Sequence, residues 1–448
     1  MGIPYYFHTI IHKYKNIRVH QLPHIHLFFL DYNGIIHPVA HETILKDNDE
    51  NNMFLHLWNK TLLLIKPYDS SFIAIDGVAP LAKILQQRKR RYLSDSNNSW
   101  DTNNITCGTP FMNRLNSFIQ QKCIENNIQF SGTNHNGEGE HKLFEKIKDL
   151  PNDYNILVHG LDADLIILSL ISFKNIYLYR EQNEKIQYIC ISELRNAILN
   201  EWKDVFKDYN NDFDRIYTYC IICSLLGNDF LPHLLTINLR NNGMDKIKDS
   251  FKNQEPLVID GEIQHIILSN ILFVLSSTED KDLILELKNH HIDNFNVNST
   301  WRKYYYENIS FIPDVSQACK SYLDGIYWTY NYYRKSTSNY IDHAWYYPYY
   351  DAPSLKDLAN FSFTYTYSPL NTLETFISNK IQLLIVIPKT SYKILDKNEQ
   401  KYYIDDSLGL TYMYPSSFKL ISFLKKHDWE RVPCLPLIDI EYMKEILS

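Results

Sequence analysis

Acidic residues follow short apolar runs at separate places along the first half of this chain. Asp31 ends the run HLFFLD, Asp76 ends SFIAID, and the D-x-D pair Asp162 and Asp164 comes just after NILVHG. Such apolar runs indicate buried strands, and strands that alternate with helical patterns favour a parallel sheet covered by helices on both faces. Because the carboxyl ends of parallel strands lie at one edge of a sheet, the sequence predicts that these acids meet there.

Three further acids, found in two glycine-containing motifs, extend this set. Glu138 and Glu140 stand beside glycines in NGEGEHK, and Asp229 lies in LLGNDFLPH. Neighbouring carboxylates repel one another unless a cation holds them together, and donors that are all oxygen favour Mg²⁺ or Mn²⁺. The seven acids are enough for two ions, which predicts metal-dependent phosphodiester hydrolysis. Taken singly, the glutamates could be an acidic helix start, and Asp229 could belong to a helix cap and turn.

A basic segment, LAKILQQRKRRY, begins five residues after Asp76. A helix through this segment would place four polar residues on one face, at i, i+4, i+7 and i+8. These residues are Lys83, Gln87, Arg90 and Arg91. Three cations and an amide on one face are suited to a terminal phosphate. A solvated basic face or a nuclear-localisation tract would give the same RKRR pattern, but the neighbouring acids favour a phosphate pocket.

Charge and cysteine content restrict the classes of protein to which the chain can belong. The formal charge is −7 and 45% of the residues are hydrophobic, so any nucleic-acid contact must come from a local basic patch on a folded protein. Seven cysteines without framework spacing suggest reduced thiols. We therefore expect a cytoplasmic protein, with the nucleus as the alternative. No apolar stretch has the length of a membrane span, which predicts that the chain does not enter a membrane.

The pattern along the 448 residues predicts more than one region. Residues 1–240 form the predicted nuclease core, 241–300 are predicted connecting helices, and the aromatic-rich 301–448 is predicted to wrap over the core. The predicted strands of the core are 26–31, 71–76, 126–130, 155–160 and 175–180. The Asn- and Ser-rich stretch 94–104 is predicted to be a flexible loop.

Two aromatic residues are candidates for contacts with a nucleic-acid base. His37 follows Asp31 by six residues, and Trp345 lies in HAWYYPYY. A single histidine is more often structural, and aromatic clusters mostly belong to the core. An exposed tryptophan face can nevertheless stack on a base, a contact worth about 1–3 kcal/mol.

Together, these motifs resemble the XRN family of 5′→3′ exoribonucleases over nearly the whole chain. MGIPYYF, DGVAP with QQRKRR, FSGTNHNGEGEHK, HGLDADLIIL and LLGNDFLPHL occur in that family's order, and YLDGIYWTYNYYRK and AWYYPYYDAP resemble its second conserved segment. The resemblance implies an α/β core of the PIN/flap-nuclease type, with a mainly parallel sheet and helices on both faces. A second, helical and aromatic-rich segment would close the active-site pocket.

The resemblance also implies a role for each candidate residue. The Mg²⁺ ligands, for two ions with Mn²⁺ as an alternative, would be Asp31, Asp76, Glu138, Glu140, Asp162, Asp164 and Asp229. Lys83, Gln87, Arg90 and Arg91 would bind a 5′-monophosphate, and His37 and Trp345 would stack on the terminal bases. The implied reaction is the degradation of single-stranded RNA with a 5′-monophosphate to nucleoside 5′-monophosphates, in RNA and mRNA decay.

The chain departs from the family pattern at several positions. Leu81 and Leu85 replace polar residues in the phosphate helix, and His343 stands where the family has a tryptophan. The short segment after Arg91 replaces a long protruding helix, which puts the unwinding of structured RNA in doubt. We expect a compact member, of the size that a large DNA virus would carry, without the C-terminal domains of the large members.

Rival interpretations explain less of the sequence. A flap-type structure-specific DNA nuclease would share the carboxylates but needs duplex-binding helices, for which the sequence has no motif. A phosphatase could use Asp162 and Asp164, but it would leave the other five acids unexplained. A catalytically silent RNA-binding protein is disfavoured because all seven acids are present.

Overall fold

The computed structural model gives the positions of most of the chain. The described residues are 2–3, 5–44, 49–94, 100–160, 162–182, 185–206, 209–252, 254–335, 341–368 and 377–447. The predicted flexible loop 94–104 lies partly outside these ranges, since residues 95–99 are not among them. Its described end contains a short 3₁₀ helix, Thr102–Asn104, which Asp101 caps by accepting a hydrogen bond from the Asn103 backbone.

A seven-stranded sheet organises the first half of the described chain. The strands are β1 Arg18–Val19, β2 Leu27–Asp31, β3 Ser71–Ala74, β4 Gln129–Ser131, β5 Asn155–His159, β6 Asn175–Gln182 and β7 Lys185–Cys190. Their order across the sheet is β1-β7-β6-β5-β2-β3-β4. Strands β2 to β6 pair in parallel, whereas β7 and β1 continue the sheet in antiparallel fashion. A strand is found at each of the five predicted places, and the two antiparallel strands are additional. The strand predicted at 126–130 is displaced, since it runs over Gln129–Ser131 after a helix that continues to Glu125 and a turn at 126–127.

Helices cover both faces of this sheet, so the predicted α/β architecture is confirmed. The helices of this half are α1 Tyr6–Lys13, α2 Asn33–Glu42, α3 Glu50–Ile65, α4 Leu81–Leu93, α5 Pro110–Glu125, α6 Gly139–Lys148, α7 Asp164–Ser172, α8 Ile191–Glu201 and α9 Asp212–Ile222. Successive side chains of β2 enter opposite cores because strand residues alternate between faces. Phe29 lies in one cluster with Leu143 of α6, and Phe28 lies in the other with Leu57 of α3.

Side-chain caps set the starts of several of these helices. Asp49 accepts hydrogen bonds from the Asn51 and Asn52 backbones at the start of α3. Thr109 accepts one from the Met112 backbone at the start of α5. Each cap satisfies a backbone N–H that has no partner within the helix, and such a cap typically contributes about 1 kcal/mol.

The register of the parallel strands brings their carboxyl ends to one edge. Asp31 lies opposite Ala74, two residues before Asp76. Leu30 lies opposite His159, after which the chain turns through Asp162 into α7. Parallel pairing without a slip of register therefore delivers the acids that follow β2, β3 and β5 to the same place.

The second half of the described chain is mostly helical. Its helices are α10 Gly243–Ser250, α11 His265–Ser276, α12 Glu279–Asn289, α13 Trp301–Tyr305, α14 Val315–Lys335, α15 Leu355–Ser362, α16 Asn379–Val386, α17 Lys397–Gln400 and α18 Ile440–Leu447. Two small hairpins are formed by β8 Val258–Ile259 with β9 Glu262–Ile263, and by β10 Leu420–Ile421 with β11 Val432–Pro433. Among the described residues, none of the helices combines the length and the apolar character needed to cross a lipid bilayer.

The aromatic-rich region shares a core with the sheet. Tyr322 and Trp328 of α14 belong to the same buried cluster as Phe29 of β2 and Leu165 of α7. The basic helix α4 is held from this side as well, because the Leu81 backbone donates to the carbonyl of His343 at 2.8 Å. The second half therefore positions one of the predicted functional helices.

Arg88 fixes the outer side of α4 to the C-terminal part of the chain. Its side chain is buried, with 2% relative exposure. Its guanidinium donates to the carbonyls of Met413 and Pro436, the latter at 2.8 Å. This single side chain therefore links two separate segments of the C-terminal part to α4.

We expect Arg88→Ala to lower the free energy of unfolding by about 2–4 kcal/mol, because it leaves buried carbonyls without a donor and removes packed methylene groups. Chemical denaturation measures this change. Arg114→Ala is the matched control, since Arg114 pairs with Glu50 on the surface and should contribute less than about 1 kcal/mol. Equal effects of the two substitutions would contradict the anchoring role.

Candidate metal and phosphate site

The seven predicted carboxylates lie on five stretches of chain at the carboxyl edge of the sheet. Asp31 ends β2, Asp76 follows β3, Glu138 precedes α6, Glu140 lies in its first turn, Asp162 follows β5, Asp164 begins α7, and Asp229 follows the 3₁₀ helix Cys223–Leu226. Glu138, Glu140 and Asp164 are buried, whereas Asp162 is exposed. The cluster therefore opens to solvent on the side of Asp162.

Gly139 allows the start of α6 to approach Asp31 and Asp76. Its backbone N–H donates to Oδ1 of Asp76 at 2.6 Å. A Cβ atom added here would lie 3.1 Å from Oδ1 of Asp31 and 3.2 Å from Oδ1 of Asp76, closer than most Cβ contacts. Asn33, in the first turn of α2, holds the other Asp76 oxygen by donating to Oδ2 at 2.8 Å. Asp76 is thus fixed on both oxygens, and Asp31 lies directly beside it.

Lys83 of α4 lies within the acidic cluster. Its Nζ is 2.8 Å from Oε2 of Glu138, 2.8 Å from Oδ2 of Asp229 and 3.7 Å from Oδ2 of Asp164. Burial by itself would lower the pKa of Lys83, but these carboxylates raise it well above its usual value, so the amine stays charged. One of the predicted phosphate ligands therefore also balances part of the charge of the acids.

The carboxyl groups differ in how well they are neutralised. Burial, followed by repulsion from neighbouring acids, raises the pKa of Asp31. Burial also raises the pKa of Glu138 to about 7, although Lys83 opposes this shift. Burial likewise acts to raise the pKa of Asp229, but there the charge of Lys83 prevails and the pKa is lowered to about 2. The single charge of Lys83 does not balance the seven carboxylates, so the cluster would bind additional cations favourably.

The donor set fits a hard divalent cation. Among the described residues, ligand atoms of Glu138, Glu140 and His141 lie within 4.8 Å of one another, close enough to share one ion. The remaining acids add carboxylate oxygens only, which are the donors that Mg²⁺ and Mn²⁺ prefer. His141 was not predicted from the sequence, because a histidine that follows two glutamates gives no separate signal.

Two tyrosines of α14 reach the acids from the second half of the chain. The Tyr332 hydroxyl donates to Oε1 of Glu138, and the Tyr333 hydroxyl donates to Oδ1 of Asp164 at 2.9 Å. Both side chains are buried, and burial raises the pKa of each hydroxyl, so both remain proton donors. The sequence did not single them out, since tyrosines in an aromatic-rich helix look like core residues.

A stack of rings connects Trp345 to the acidic cluster. Trp345 stacks on Trp328 with ring centres 4.9 Å apart, and Trp328 stacks on Tyr332 at 5.0 Å. Tyr332 in turn packs against His141 at 4.0 Å. Trp345 is half-buried, so part of its surface is open to solvent. Its predicted role in base stacking remains a prediction.

The basic face of α4 continues from the acidic cluster toward the surface. Gln87 is half-buried, Arg90 is exposed, and Arg91 donates to Oδ1 of Asn103 at 3.0 Å. Burial, followed by the charge of Arg90, lowers the pKa of Arg91 to about 9. An anion such as phosphate would balance the charges of these neighbouring guanidinium groups.

His37 lies close to these arginines, on α2. His37 is exposed to solvent. The protein packed around it, followed by the charges of Arg90 and Arg91, lowers the pKa of His37 to about 4. The ring is therefore neutral at neutral pH, as a stacking surface for a base would be.

Comparison with known proteins agrees with the resemblance seen in the sequence motifs. The description "XRN 5'-3' exonuclease N-terminus" matches residues 1–98 and 93–182, and "Xrn1 helical domain" matches residues 297–447. Human 5'-3' exoribonuclease 1 is 26% identical, over 100% of this chain and 34% of the human protein. The 5'-3' exoribonuclease 2 of Debaryomyces hansenii is 29% identical, over 56% of this chain and 34% of its own length.

The Saccharomyces cerevisiae 5'-3' exoribonuclease 1 is also 29% identical, over 56% of this chain and 20% of its own length. The chain thus spans about a third or less of the length of these curated relatives. The two family descriptions cover six of the seven strands, six of the seven acids and helix α14. Strand β7 and Asp229 lie between the matched regions. The ordered motifs, the fold and these matches together show that the chain belongs to the XRN family.

Proposed function

We propose that the protein is a metal-dependent 5′→3′ exoribonuclease that removes nucleoside 5′-monophosphates from single-stranded RNA with a 5′-monophosphate. The observation that carries this proposal is the meeting of seven carboxylates with the basic face of α4, through Lys83. The relatives named above are exoribonucleases, which supports RNA as the substrate and RNA decay as the setting.

The acids would hold one or two divalent cations, with Mg²⁺ the first candidate and Mn²⁺ the second. Such ions lower the pKa of a bound water and stabilise a leaving oxygen, which is what hydrolysis of a phosphodiester requires. The chain's own contribution is to fix the ligands before the metal arrives. Asn33 and Gly139 hold Asp76, and the hydroxyls of Tyr332 and Tyr333 hold two further carboxylates.

The basic face of α4 would set the direction of cleavage. Gln87, Arg90 and Arg91 would bind the terminal phosphate, and Lys83 would lie between that phosphate and the acids. With the first phosphate fixed, only the next linkage can reach the acidic cluster, so one nucleotide is removed at each turn. A 5′-hydroxyl would leave the cations without a partner, and a triphosphate or cap would be larger than the site was predicted to accept.

Stacking would hold the first bases without reading their identity. The neutral ring of His37 and the half-buried ring of Trp345 both present aromatic faces, and every base has a face that can stack. This suits an enzyme that degrades RNA of any sequence.

We also propose that the protein acts in a reducing compartment, with the cytoplasm as the first candidate. All seven cysteines are free thiols, and six of them are buried. Buried thiols away from any disulfide suit the cytosol, where thiols are kept reduced.

We expect Asp162→Asn to reduce the rate of hydrolysis more than about a hundredfold, while RNA binding is largely retained. This loss is larger than the loss typical of a residue that only orients a metal ligand. End-labelled RNA in Mg²⁺ and in EDTA measures the rate, and a filter-binding assay measures affinity. Asp69→Asn, an exposed acid next to β3, is the control. Retained turnover in the Asp162 variant would remove this residue from the metal site.

We expect Arg90→Ala to abolish the preference for 5′-monophosphate over 5′-hydroxyl RNA. The variant loses one charge-assisted contact to the phosphate, which should weaken its use of 5′-monophosphate RNA by about tenfold or more. The assay compares RNA and DNA, each with a 5′-monophosphate, triphosphate or hydroxyl. Arg18→Ala, an exposed arginine on β1, should leave the preference unchanged. A preference that survives in the Arg90 variant would refute the phosphate pocket, and faster cleavage of DNA would favour the flap-type nuclease.

We expect Tyr332→Phe and Tyr333→Phe each to weaken Mn²⁺ binding and activity by about 10–100-fold, because each loses a group that orients a metal ligand. Electron paramagnetic resonance of Mn²⁺ measures affinity independently of turnover. Tyr330→Phe is the matched control on the same helix, since its hydroxyl donates instead to the carbonyl of Gly261. If all three variants bind Mn²⁺ equally, the two tyrosines have only a packing role.

A further inference from the structure

A large cavity lies beside the basic helix, on the face next to the predicted phosphate pocket. Its volume is about 1040 Å³, which is at the upper end of the range for small-molecule sites. Gln86, Lys89, Arg90 and Leu93 of α4 form one wall. Residues 228–233, 238–241 and 424–433 form much of the rest.

Two residues belong both to this cavity and to the site described above. Arg90 lies at the boundary between the two faces of α4, and Asp229 is the carboxylate that pairs with Lys83. The cavity therefore begins where the predicted binding site for the terminal phosphate ends. A ligand held at Arg90 is in contact with both spaces.

Part of the charge on the cavity wall is neutralised within the protein. Arg240 pairs with Glu430, and Arg431 pairs with Asp428 at 2.6 Å. Lys425 pairs with Asp351, which lies behind the wall, at 3.2 Å. These three cations are balanced and hold the 424–433 segment in place.

Three other cations on the wall are not balanced in this way. Within the described part of the chain, no carboxylate lies at ion-pair distance from Lys89, Arg90 or Lys426. Burial lowers the pKa of Lys89 to about 8, and the more distant Asp351 only partly opposes this. An anion at this wall would therefore meet an excess of positive charge in partly desolvated surroundings.

The cavity also offers aromatic surface. Tyr5 and Trp429 line it, with ring centres 6.2 Å apart. The guanidinium of Arg240 lies 4.2 Å from the centre of the Tyr5 ring, and Trp429 is 50% exposed. Cations and exposed aromatic rings in one cavity are suited to a phosphate joined to a base.

We propose that this cavity receives the nucleoside 5′-monophosphate after hydrolysis and is the path by which it leaves. This inference rests on the proposed function. The RNA that is still to be degraded would occupy the side of His37 and Trp345, so the product cannot leave there without displacing it. From Arg90 the phosphate can move to Lys89 and Lys426 without losing its positive surroundings, while the remaining RNA stays bound.

The first test measures binding of adenosine 5′-monophosphate to the full chain by calorimetry, without metal and without RNA. The double variant Lys89→Ala/Lys426→Ala should bind at least about fivefold more weakly than the wild type, the loss expected for two partly exposed charge contacts. Lys146→Ala, an exposed lysine on α6 outside the cavity, is the control. Equal affinity in all three proteins would overturn the proposal.

The second test separates the chemical step from release of the product. Asn289 is exposed and lines the cavity, so Asn289→Trp should narrow it without touching the acids. We expect its single-turnover cleavage rate to equal that of the wild type, while steady-state turnover falls at least about threefold and a burst of product appears. Asn51→Trp, on the exposed side of α3, is the control and should show no burst.

The outcomes separate the two proposals. If the wild type hydrolyses RNA but the cavity variants change neither nucleotide affinity nor steady-state turnover, only the product path is wrong. If the wild type hydrolyses nothing, the proposed function is wrong, and nucleotide binding that depends on Lys89 and Lys426 would still identify the cavity as a nucleotide site.

Discussion

Repulsion among carboxylates that share one edge of the sheet is the constraint on which this structure depends. Two like charges 4 Å apart repel by about 4 kcal/mol at an effective dielectric constant of 20. The fold supplies Lys83 against this repulsion, in contact with Glu138 and Asp229. Burial, followed by repulsion from neighbouring acids, nevertheless raises the pKa of Asp31, and burial raises that of Glu138 although Lys83 opposes it. The acidic cluster therefore carries an excess of negative charge that a divalent cation would neutralise.

The second half of the chain completes this centre. Helix α14 places hydroxyls on Glu138 and Asp164, and its ring stack extends from His141 to Trp345. The start of α4 is bonded to the carbonyl of His343, and its outer side is anchored through Arg88. These contacts, together with the shared buried core, connect the acids and the basic helix to the second half of the chain.

In our proposals, the basic helix α4 presents two faces to anions, and this division follows from its sequence spacing. Lys83, Gln87 and Arg91 fall on one side, whereas Lys89 and Leu93 line the large cavity on the other. Arg90 lies between the two. An α-helix turns by 100° per residue, so a run of adjacent cations such as RKRR necessarily spreads its charge over neighbouring faces. In our proposals, Lys89, Arg90 and Arg91 of this run thus serve two adjoining anion sites. Arg88, the remaining member of the run, instead anchors the C-terminal part of the chain.

The parallel strands, the acids at their ends and the basic face of α4 could all be predicted from local sequence patterns. Apolar runs and helical spacing are local patterns, and parallel pairing fixes where strand ends lie. The position of Lys83 among the acids, and of His141 beside them, became evident only in the folded chain. The same is true of the hydrogen bonds from Tyr332 and Tyr333, whose carboxylate partners are 194 and 169 residues away in the sequence. Those contacts depend on how α14 docks on the sheet, and docking is set by packing of the shared core, which no local pattern encodes.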